Sequence, residues 1–448
     1  MASQVVFMVV IIPVATVNLT SSDLALWLSS MLLVSLSSAA DFGVYNTMIR
    51  TLPFVKKGKD FPLFQSTRKE KPKLIVLNPS FNSQIDIQTR IAALFSFGLR
   101  QLFLSVTAVL PLGMIVGIYI YEARIDSSGS SLYALTILFY WLVIPAQVFA
   151  RFFESILMGS GYVTKAKQNE AFTVALRVIV LSILMLCAVP VLYLGVMHLI
   201  ATSIQLALNF SSVKKNVLIN FEWRSIKKYL SYFSSQERSS FTKGQYRFGV
   251  NVFSSYLIMN AGSLTVTGMK SDETVSFYLV MVRMFQAMKQ FAQVPLIVSV
   301  PKMVKLRAEM NIAELLKLFN GRGRGVLALY FIGLPISFLY LYVLFEGSEF
   351  DYIFYSLLFA VIMFLELNHS NHAQLVLTKN VQPFVVPSFL AAGLSVVLMY
   401  PIGSIFGILG IILVQALVQL ACSNWYPIYL NIKEFDDRAL LFYKNRRQ

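Results

Sequence analysis

The sequence predicts an all-α integral membrane protein, with about twelve transmembrane helices in two six-helix bundles around a central cavity. Hydrophobic residues make up 56% of the 448 residues and charged residues only 13%, which rules out a water-soluble globule. The apolar residues fall in long runs, and the basic residues concentrate in alternate loops between them. Together these patterns predict a polytopic membrane protein.

Twelve runs are candidates for spanning helices, each of which needs about 20 mainly apolar residues to satisfy its backbone within lipid. They are 4–18, 24–50, 101–121, 131–153, 171–193, 195–211, 245–266, 275–298, 325–345, 352–375, 383–402 and 404–430. The first is short, and a cleaved signal peptide is the alternative. Because it lacks a basic leading region and a small-residue cleavage site, we expect a helix.

The distribution of basic residues predicts the orientation. With the N-terminus inside, the inside segments hold 29 of the 38 Lys and Arg residues, whereas the outside segments hold only Arg124 and Lys270. The inside segments are 51–90, 154–170, 212–243, 299–324, 376–382 and 431–448. An even number of spans with both termini cytoplasmic is therefore predicted.

The basic segment 212–243 divides the spans six and six, as in transporters built from two repeats. We expect an N-terminal bundle over 1–211, this segment as a cytoplasmic linker, and a C-terminal bundle with a short cytoplasmic tail over 244–448. Two segments show a weak internal similarity: SILMGSGYVTKAKQNEAF, from Ser155, and HAQLVLTKNVQPFVVPSF, from His372.

Several classes of function are disfavoured. No GxxxxGK[ST] stretch or metal-ligand cluster occurs, so neither a cofactor nor a metal is predicted and a transporter is favoured over an enzyme. The basic residues are dispersed, so no nucleic-acid partner is expected. Cys187 and Cys422 lie in apolar runs and support no disulfide framework.

Four stretches carry further information: LALWLSSMLLVSLSSAADFGVYNTMIR in the second span, FFESILMGSGYVTKAKQNE in the fourth, and FYLVMVRMFQ with VPKMVKLRAE in and after the eighth. They resemble the corresponding stretches of the Wzx-type O-antigen flippases of the MOP superfamily, and the likeness covers nearly the whole chain. The resemblance implies a flippase of the bacterial cytoplasmic (inner) membrane that moves an undecaprenyl-diphosphate-linked oligosaccharide to the outer leaflet. It also implies lipopolysaccharide biosynthesis, with polymerase or chain-length proteins of the same pathway as possible partners beside membrane lipids.

An anionic diphosphate needs a hydrated, cationic cavity to cross hydrocarbon, so basic residues within spans are the candidates for binding it. Seven exist: Arg50, Arg100, Arg151, Arg177, Arg247, Arg283 and Lys289. Five are expected to bind substrate: Arg283, Lys289, Arg177, Arg247 and Arg50. For those within a turn of a cytoplasmic end, among them Arg50 and Arg247, the alternative is that the side chain reaches to the lipid headgroups.

Arg283 lies about 12 Å below the outer end of its helix, near the bilayer centre, where it must face inward. Gln286, Gln290 and Gln293 share its helical face and are expected to line the cavity. The alternative is that these side chains hydrogen-bond to other helices. Lys289 lies on a different face and can pair with a carboxylate.

Three acids are considered with the spans: Asp41 and Glu366 lie within spans, and Glu154 directly follows the fourth. Glu154 is spaced for an ion pair with Arg151. Phe42 and Gly43 predict a bend beside Asp41, whose carboxylate can cap backbone, neutralise Arg283 or Lys289, or bind a coupling proton or Na⁺.

Glu366, His369 and His372 follow one another at three-residue spacing in the tenth span. They converge poorly on a metal ion, because the first and last are about 120° apart around the helix. A proton relay is the better hypothesis, and simple contact with water or headgroups is the alternative. Asp41, Glu366 and His369 are therefore the ion-coupling candidates.

Two other functions compete with a flippase. A MATE-type multidrug exporter that carries cations would require an acidic cavity, whereas the spans hold seven bases and three acids. An O-antigen polymerase or glycosyltransferase usually needs a large outside loop, which the predicted spans do not leave. We expect a monomer, because a bundle of this size can enclose its own cavity.

Overall fold

A computed structural model describes residues 2–56, 87–125, 131–218, 222–345, 350–379 and 382–440, and within these ranges the chain forms helices without any strand. The all-α prediction is confirmed. The α-helices are α1 (Ala2–Asn18), α2 (Ser21–Ala40), α3 (Val44–Lys56), α4 (Ile87–Arg124), α5 (Ser131–Gly159), α6 (Val163–Leu186), α7 (Val191–Asn216), α8 (Ile226–Ser231), α9 (Ser235–Thr267), α10 (Asp272–Ala308), α11 (Ile312–Leu344), α12 (Phe350–Leu377), α13 (Val385–Val418) and α14 (Trp425–Phe435).

Eight helical stretches of the described residues are long and apolar enough to cross a membrane. They are Ser21–Lys56, Ile87–Arg124, Ser131–Gly159, Val163–Leu186, Val191–Asn216, Ile312–Leu344, Asp351–Leu377 and Val385–Ala439. The last stretch contains the last two predicted spans. The remaining predicted spans are α1, which has only 17 residues, and the longer but more polar α9 and α10. The chain is thus a multi-pass membrane protein.

Two backbone breaks divide long helical stretches. Phe42 (φ 42°) and Gly43 (φ 83°) separate α2 from α3, which confirms the bend predicted beside Asp41. In α13, Gly407 adopts φ 60° and ψ −144°, a conformation open to glycine, near the start of the twelfth predicted span and four residues after the boundary predicted at 403. The chain therefore passes from one span to the next at a single residue.

Several predicted boundaries are wrong. The fifth span was placed at 171–193, but α6 ends at Leu186 and α7 begins at Val191. Pro190 explains this, since proline disfavours helical backbone in the residue before it. The inside segments 154–170 and 299–324 are mostly helical, because Lys and Glu are good helix formers. Most of segment 51–90 and the tail from 441 onward lie outside the described residues.

Contacts divide the chain into two compact units. The first unit is Leu26–Tyr256, and the second unit comprises Met1–Ala25 and Leu257–Gln448. The division into bundles at 212–243 stays a prediction.

Each unit contains a buried asparagine that ties two helices together. In the first unit, Asn209 Nδ2 on α7 donates to the Ala150 carbonyl on α5 at 3.0 Å. In the second, Asn431 Nδ2 on α14 donates to the His372 carbonyl on α12 at 2.9 Å. In both cases the donor follows the acceptor by 59 residues. The spacing is equal in the two units, but it aligns His372 with Ala150 and not with Ser155, so the predicted internal repeat stays a prediction.

Within the first unit, the break after α2 packs directly on α9. A Cβ on Gly249 would lie 2.5 Å from the Phe42 carbonyl oxygen, so only glycine permits this approach.

We predict that Gly249→Ala lowers the free energy of unfolding by about 1–3 kcal/mol through overpacking. Thermal melting of the purified protein in detergent measures this. Gly321→Ala is the matched control, because a Cβ there meets nothing within 4 Å; equal melting temperatures for the two variants would contradict the prediction.

Candidate functional site: the charged residues of the spans

Asp41 is held by the backbone at the break between α2 and α3. Its side chain is 3% exposed, and its two oxygens accept hydrogen bonds from the amides of Gly43 at 3.1 Å and Tyr45 at 3.2 Å. The Gly43 amide directly precedes α3 and the Tyr45 amide lies in its first turn, where no intrahelical acceptor exists. Of the three roles considered for Asp41, the described geometry shows the backbone cap. A role in ion coupling stays a prediction.

Glu154 pairs with a lysine on the next helix and not with its helical neighbour. Lys167 Nζ lies 2.8 Å from Glu154 Oε1 and 2.7 Å from Glu170 Oε2. Arg151 instead places its guanidinium 5.2 Å from the ring centre of Tyr45 on α3. The predicted Arg151–Glu154 pair is therefore wrong, because the tight turn through Gly161 (φ 93°) brings α6 back beside α5.

In the second unit, polar side chains join α10 to α12. Lys289 forms an ion pair with Glu366, which confirms that Lys289 pairs with a carboxylate. Gln293 donates to Ser370 Oγ and lies 3.5 Å from Asn371 Oδ1. Gln293 is thus buried against α12, as the alternative of interhelical bonding predicted.

Arg283, Gln286 and Gln290 retain partial exposure on α10. The predicted polar face is therefore divided: three side chains are accessible, and Gln293 is committed to a neighbouring helix. Whether the accessible three line a cavity stays a prediction.

The three titratable residues of α12 have separate surroundings. Glu366 pairs with Lys289, and its Oε2 atom is buried without a hydrogen-bond partner. The His372 ring is buried, with Nδ1 3.2 Å from Asn431 Nδ2. The ring of His369 lies 6.2 Å from that of Phe384. His372 thus contacts protein and not water, and no group of three metal-ligating side chains exists among the described residues.

The predicted substrate-binding cations belong to both units. Arg50 places its guanidinium 4.5 Å from the ring centre of Phe248, and Arg247 is partly buried on the adjoining helix α9, both in the first unit. Arg177, also in the first unit, donates from Nη2 to Thr202 Oγ1 at 3.3 Å. Arg283 and Lys289 belong to the second unit. That the five line one cavity stays a prediction.

Sequence reasoning missed a group of buried polar side chains around Arg177. Tyr140 and His198 are within range of its charge, and Trp27 lies beside the Tyr140 hydroxyl. The one feature of the sequence that could have indicated this group is His198, a lone histidine in an apolar run.

No protein-family model matches the chain, and neither does any curated protein. Three solved structures have similar folds. The lipid II flippase MurJ in its inward closed conformation gives a TM-score of 0.64 at 12% identity, covering 98% of this chain and 88% of that one. An inward-facing multidrug resistance MATE family transporter of the MOP superfamily gives a TM-score of 0.54 at 12% identity, covering 96% of this chain and 99% of that one. The chain has the fold of the MOP-superfamily transporters.

A further transporter with this fold comes from Pyrococcus furiosus, with a TM-score of 0.51, 11% identity, and coverage of 97% and 96%. Its title states that the reverse polarity of its binding pocket suggests a different function. The fold that the resemblance implies is therefore confirmed. The likeness does not distinguish an O-antigen flippase from other transporters with this fold.

The Lys289–Glu366 pair predicts a specific pattern of stability. Lys289→Met leaves the Glu366 carboxylate without its cation, so we expect a loss of up to about 3 kcal/mol, because an unpaired charge in a protein interior is costly. Glu366→Leu should destabilise for the same reason. The double variant should recover most of the loss, which thermal melting in detergent measures. Additive losses in the double variant would show that the two side chains do not interact.

Proposed function

We propose that this protein is a flippase for undecaprenyl-diphosphate-linked O-antigen or related oligosaccharide units. It moves them from the inner to the outer leaflet of the bacterial cytoplasmic membrane by alternating access, coupled to an ion gradient. The fold supports this proposal, because the MOP-superfamily fold is shared with MurJ, which is a lipid II flippase. The polarity of the spans determines which class of cargo the fold can accept.

One observation carries the proposal: all three acids within the predicted spans are engaged. Asp41 accepts from two backbone amides, Glu154 pairs with Lys167, and Glu366 pairs with Lys289. An organic cation would therefore have to displace one of these partners to find a carboxylate. The predicted spans hold seven basic residues against these three acids. The net positive charge favours a cargo that carries negative charge.

The roles proposed for the individual side chains follow from their charge and hydrogen-bonding groups. Arg283 is the principal ligand for the diphosphate, since a guanidinium binds two phosphate oxygens at once. Arg50, Arg247 and Lys289 supply further positive charge. Gln286 and Gln290, partly exposed on the same helix as Arg283, donate to and accept from sugar hydroxyls.

Ion coupling is assigned to Glu366, with Asp41 and His369 as further candidates. The Glu366 Oε2 atom is buried and has no hydrogen-bond partner, so it can accept a proton without first losing a contact. A protonated Glu366 no longer neutralises Lys289. The pair between α10 and α12 would thereby weaken, and the released lysine could attract the diphosphate.

The second candidate is a multidrug exporter of the MATE type. Its support is a multidrug resistance MATE transporter with a similar fold. A cation exporter and an anion flippase differ in which side chains they require. Loss of Arg283 should abolish anion transport, whereas it should preserve or improve the transport of cations.

We predict that Arg283→Ala reduces flipping of a fluorescent undecaprenyl-diphosphate oligosaccharide in proteoliposomes by about tenfold or more, since charge-assisted hydrogen bonds to phosphate are lost. In cells, single lipid-linked repeat units should accumulate on the inner leaflet while protein abundance stays unchanged. Arg322→Ala is the control, because Arg322 is exposed and lies in a predicted cytoplasmic segment.

Two results would overturn the proposal. One is normal flipping by Arg283→Ala. The other is export of ethidium by the native protein in the same vesicles, with no movement of the oligosaccharide; this would support the multidrug exporter. Accumulation of unpolymerised units on the outer surface of a deletion strain would indicate a polymerase.

A further inference from the structure

The first unit contains a cluster of buried polar side chains contributed by four helices. We call it the Arg177 cluster, and it consists of Trp27 on α2, Tyr140 on α5, Arg177 on α6, and His198 and Thr202 on α7. The rings of Tyr140 and His198 are 5.6 Å apart. Arg177 bonds to Thr202 and interacts electrostatically with Tyr140 and His198. The cluster is therefore one continuous polar region inside an apolar bundle.

The members of the cluster lie at one level of the bundle. Trp27, Tyr140, Arg177 and His198 are each six to nine residues from the end of their helix. At a rise of 1.5 Å per residue, this corresponds to a depth of about 9–14 Å. The turn at Cys187–Pro190 connects the end of α6 to the start of α7, so the depths of Arg177 and His198 are measured from the same end of the bundle. The cluster is well inside the predicted hydrocarbon layer.

Hydrogen-bonding groups in the cluster outnumber the partners available to them. Tyr140, at 0% exposure, His198, at 2%, and Trp27, at 1%, are all fully buried. Both ring nitrogens of His198 and the Nε atom of Arg177 have no hydrogen-bond partner, and the Tyr140 hydroxyl and the Trp27 indole nitrogen have none beyond one another. A buried polar group without a partner costs about 1–3 kcal/mol, so these groups require an explanation.

The charge of Arg177 is also uncompensated within the described part of the chain. None of the described carboxylates lies within 4 Å of its guanidinium, which bonds to the neutral Thr202 hydroxyl. The two acids in the spans of this unit are committed elsewhere, Asp41 to backbone amides and Glu154 to Lys167. An arginine at this depth remains charged and needs a counter-charge.

We infer that the Arg177 cluster binds a small inorganic anion of halide type, chloride under ordinary conditions. Arg177 supplies the positive charge through its Nε–H. The Tyr140 hydroxyl, the Trp27 indole N–H and one ring N–H of His198 supply neutral donors. One bound halide satisfies these donors together and cancels the buried charge. The inference concerns residues of the first unit alone and is independent of which cargo the protein carries.

The test is equilibrium binding of ³⁶Cl⁻ to the purified full-length protein in lipid nanodiscs, by scintillation proximity. We expect saturable binding by the native protein. Arg177→Gln should weaken it by about tenfold or more, because a charged donor is lost. Tyr140→Phe should weaken it by about threefold to tenfold through loss of one neutral donor. Arg100→Gln and Tyr193→Phe are the controls, since both residues are exposed, and both should bind like the native protein.

Crystals of the protein grown in bromide provide the structural arm of the test. An anomalous bromide peak beside Arg177 and Tyr140 supports the site, whereas ordered water in the cluster with no bromide signal overturns it. Absence of saturable chloride binding, or equal binding by Arg177→Gln and native protein, also overturns it. If Arg177→Gln does not fold, Arg177→Lys keeps the charge, and Tyr140→Phe still has to weaken binding for the inference to stand.

Discussion

The cost of an uncompensated charge in hydrocarbon is the constraint on which the rest of this structure depends. A charge that faces lipid at the bilayer centre costs from about 2.5 to more than 10 kcal/mol, so each charged group in a span must find partners within the protein. Each of the three spanning acids has done so, by a different route: Asp41 through backbone amides, Glu154 through Lys167, and Glu366 through Lys289. With the acids engaged, basic residues predominate within the predicted spans, and this excess is the basis on which an anionic cargo is proposed.

The same constraint governs how the helices pack. In lipid there is little hydrophobic gain from bringing two apolar helices together, so close backbone approach and buried hydrogen bonds must hold them. Gly249 permits close backbone approach, because it has no side chain to exclude the Phe42 carbonyl. The buried amides of Asn209 and Asn431 provide the hydrogen bonds, each to a backbone carbonyl 59 residues earlier in the chain. The same kind of contact thus holds helices together in both units.

Long apolar runs predicted most of the helices, and Phe42 with Gly43 predicted the bend at Asp41, since both features depend on local sequence. They did not predict that α6 and α10 extend beyond the lipid-length segments, because hydropathy reports the apolar part of a helix and not its hydrogen-bonded ends. Ion pairs between different helices were harder to predict from the sequence. That Lys289 needs a carboxylate followed from burial energy, but its partner is 77 residues away. The Arg151–Glu154 prediction failed because local spacing cannot show that Lys167 folds back.

The two units differ in whether their buried charges can change. In the first unit, the cation of the cluster is a guanidinium, which stays protonated under all biological conditions, and the carboxylate of Asp41 serves the backbone. These charges are fixed parts of the framework. In the second unit, Lys289 and Glu366 form a pair in which one carboxylate oxygen has no second partner. Proton binding there removes an attraction between α10 and α12, whereas proton binding at Asp41 would weaken the cap of α3. Ion coupling is therefore better placed in the second unit, and a permanent anion site in the first.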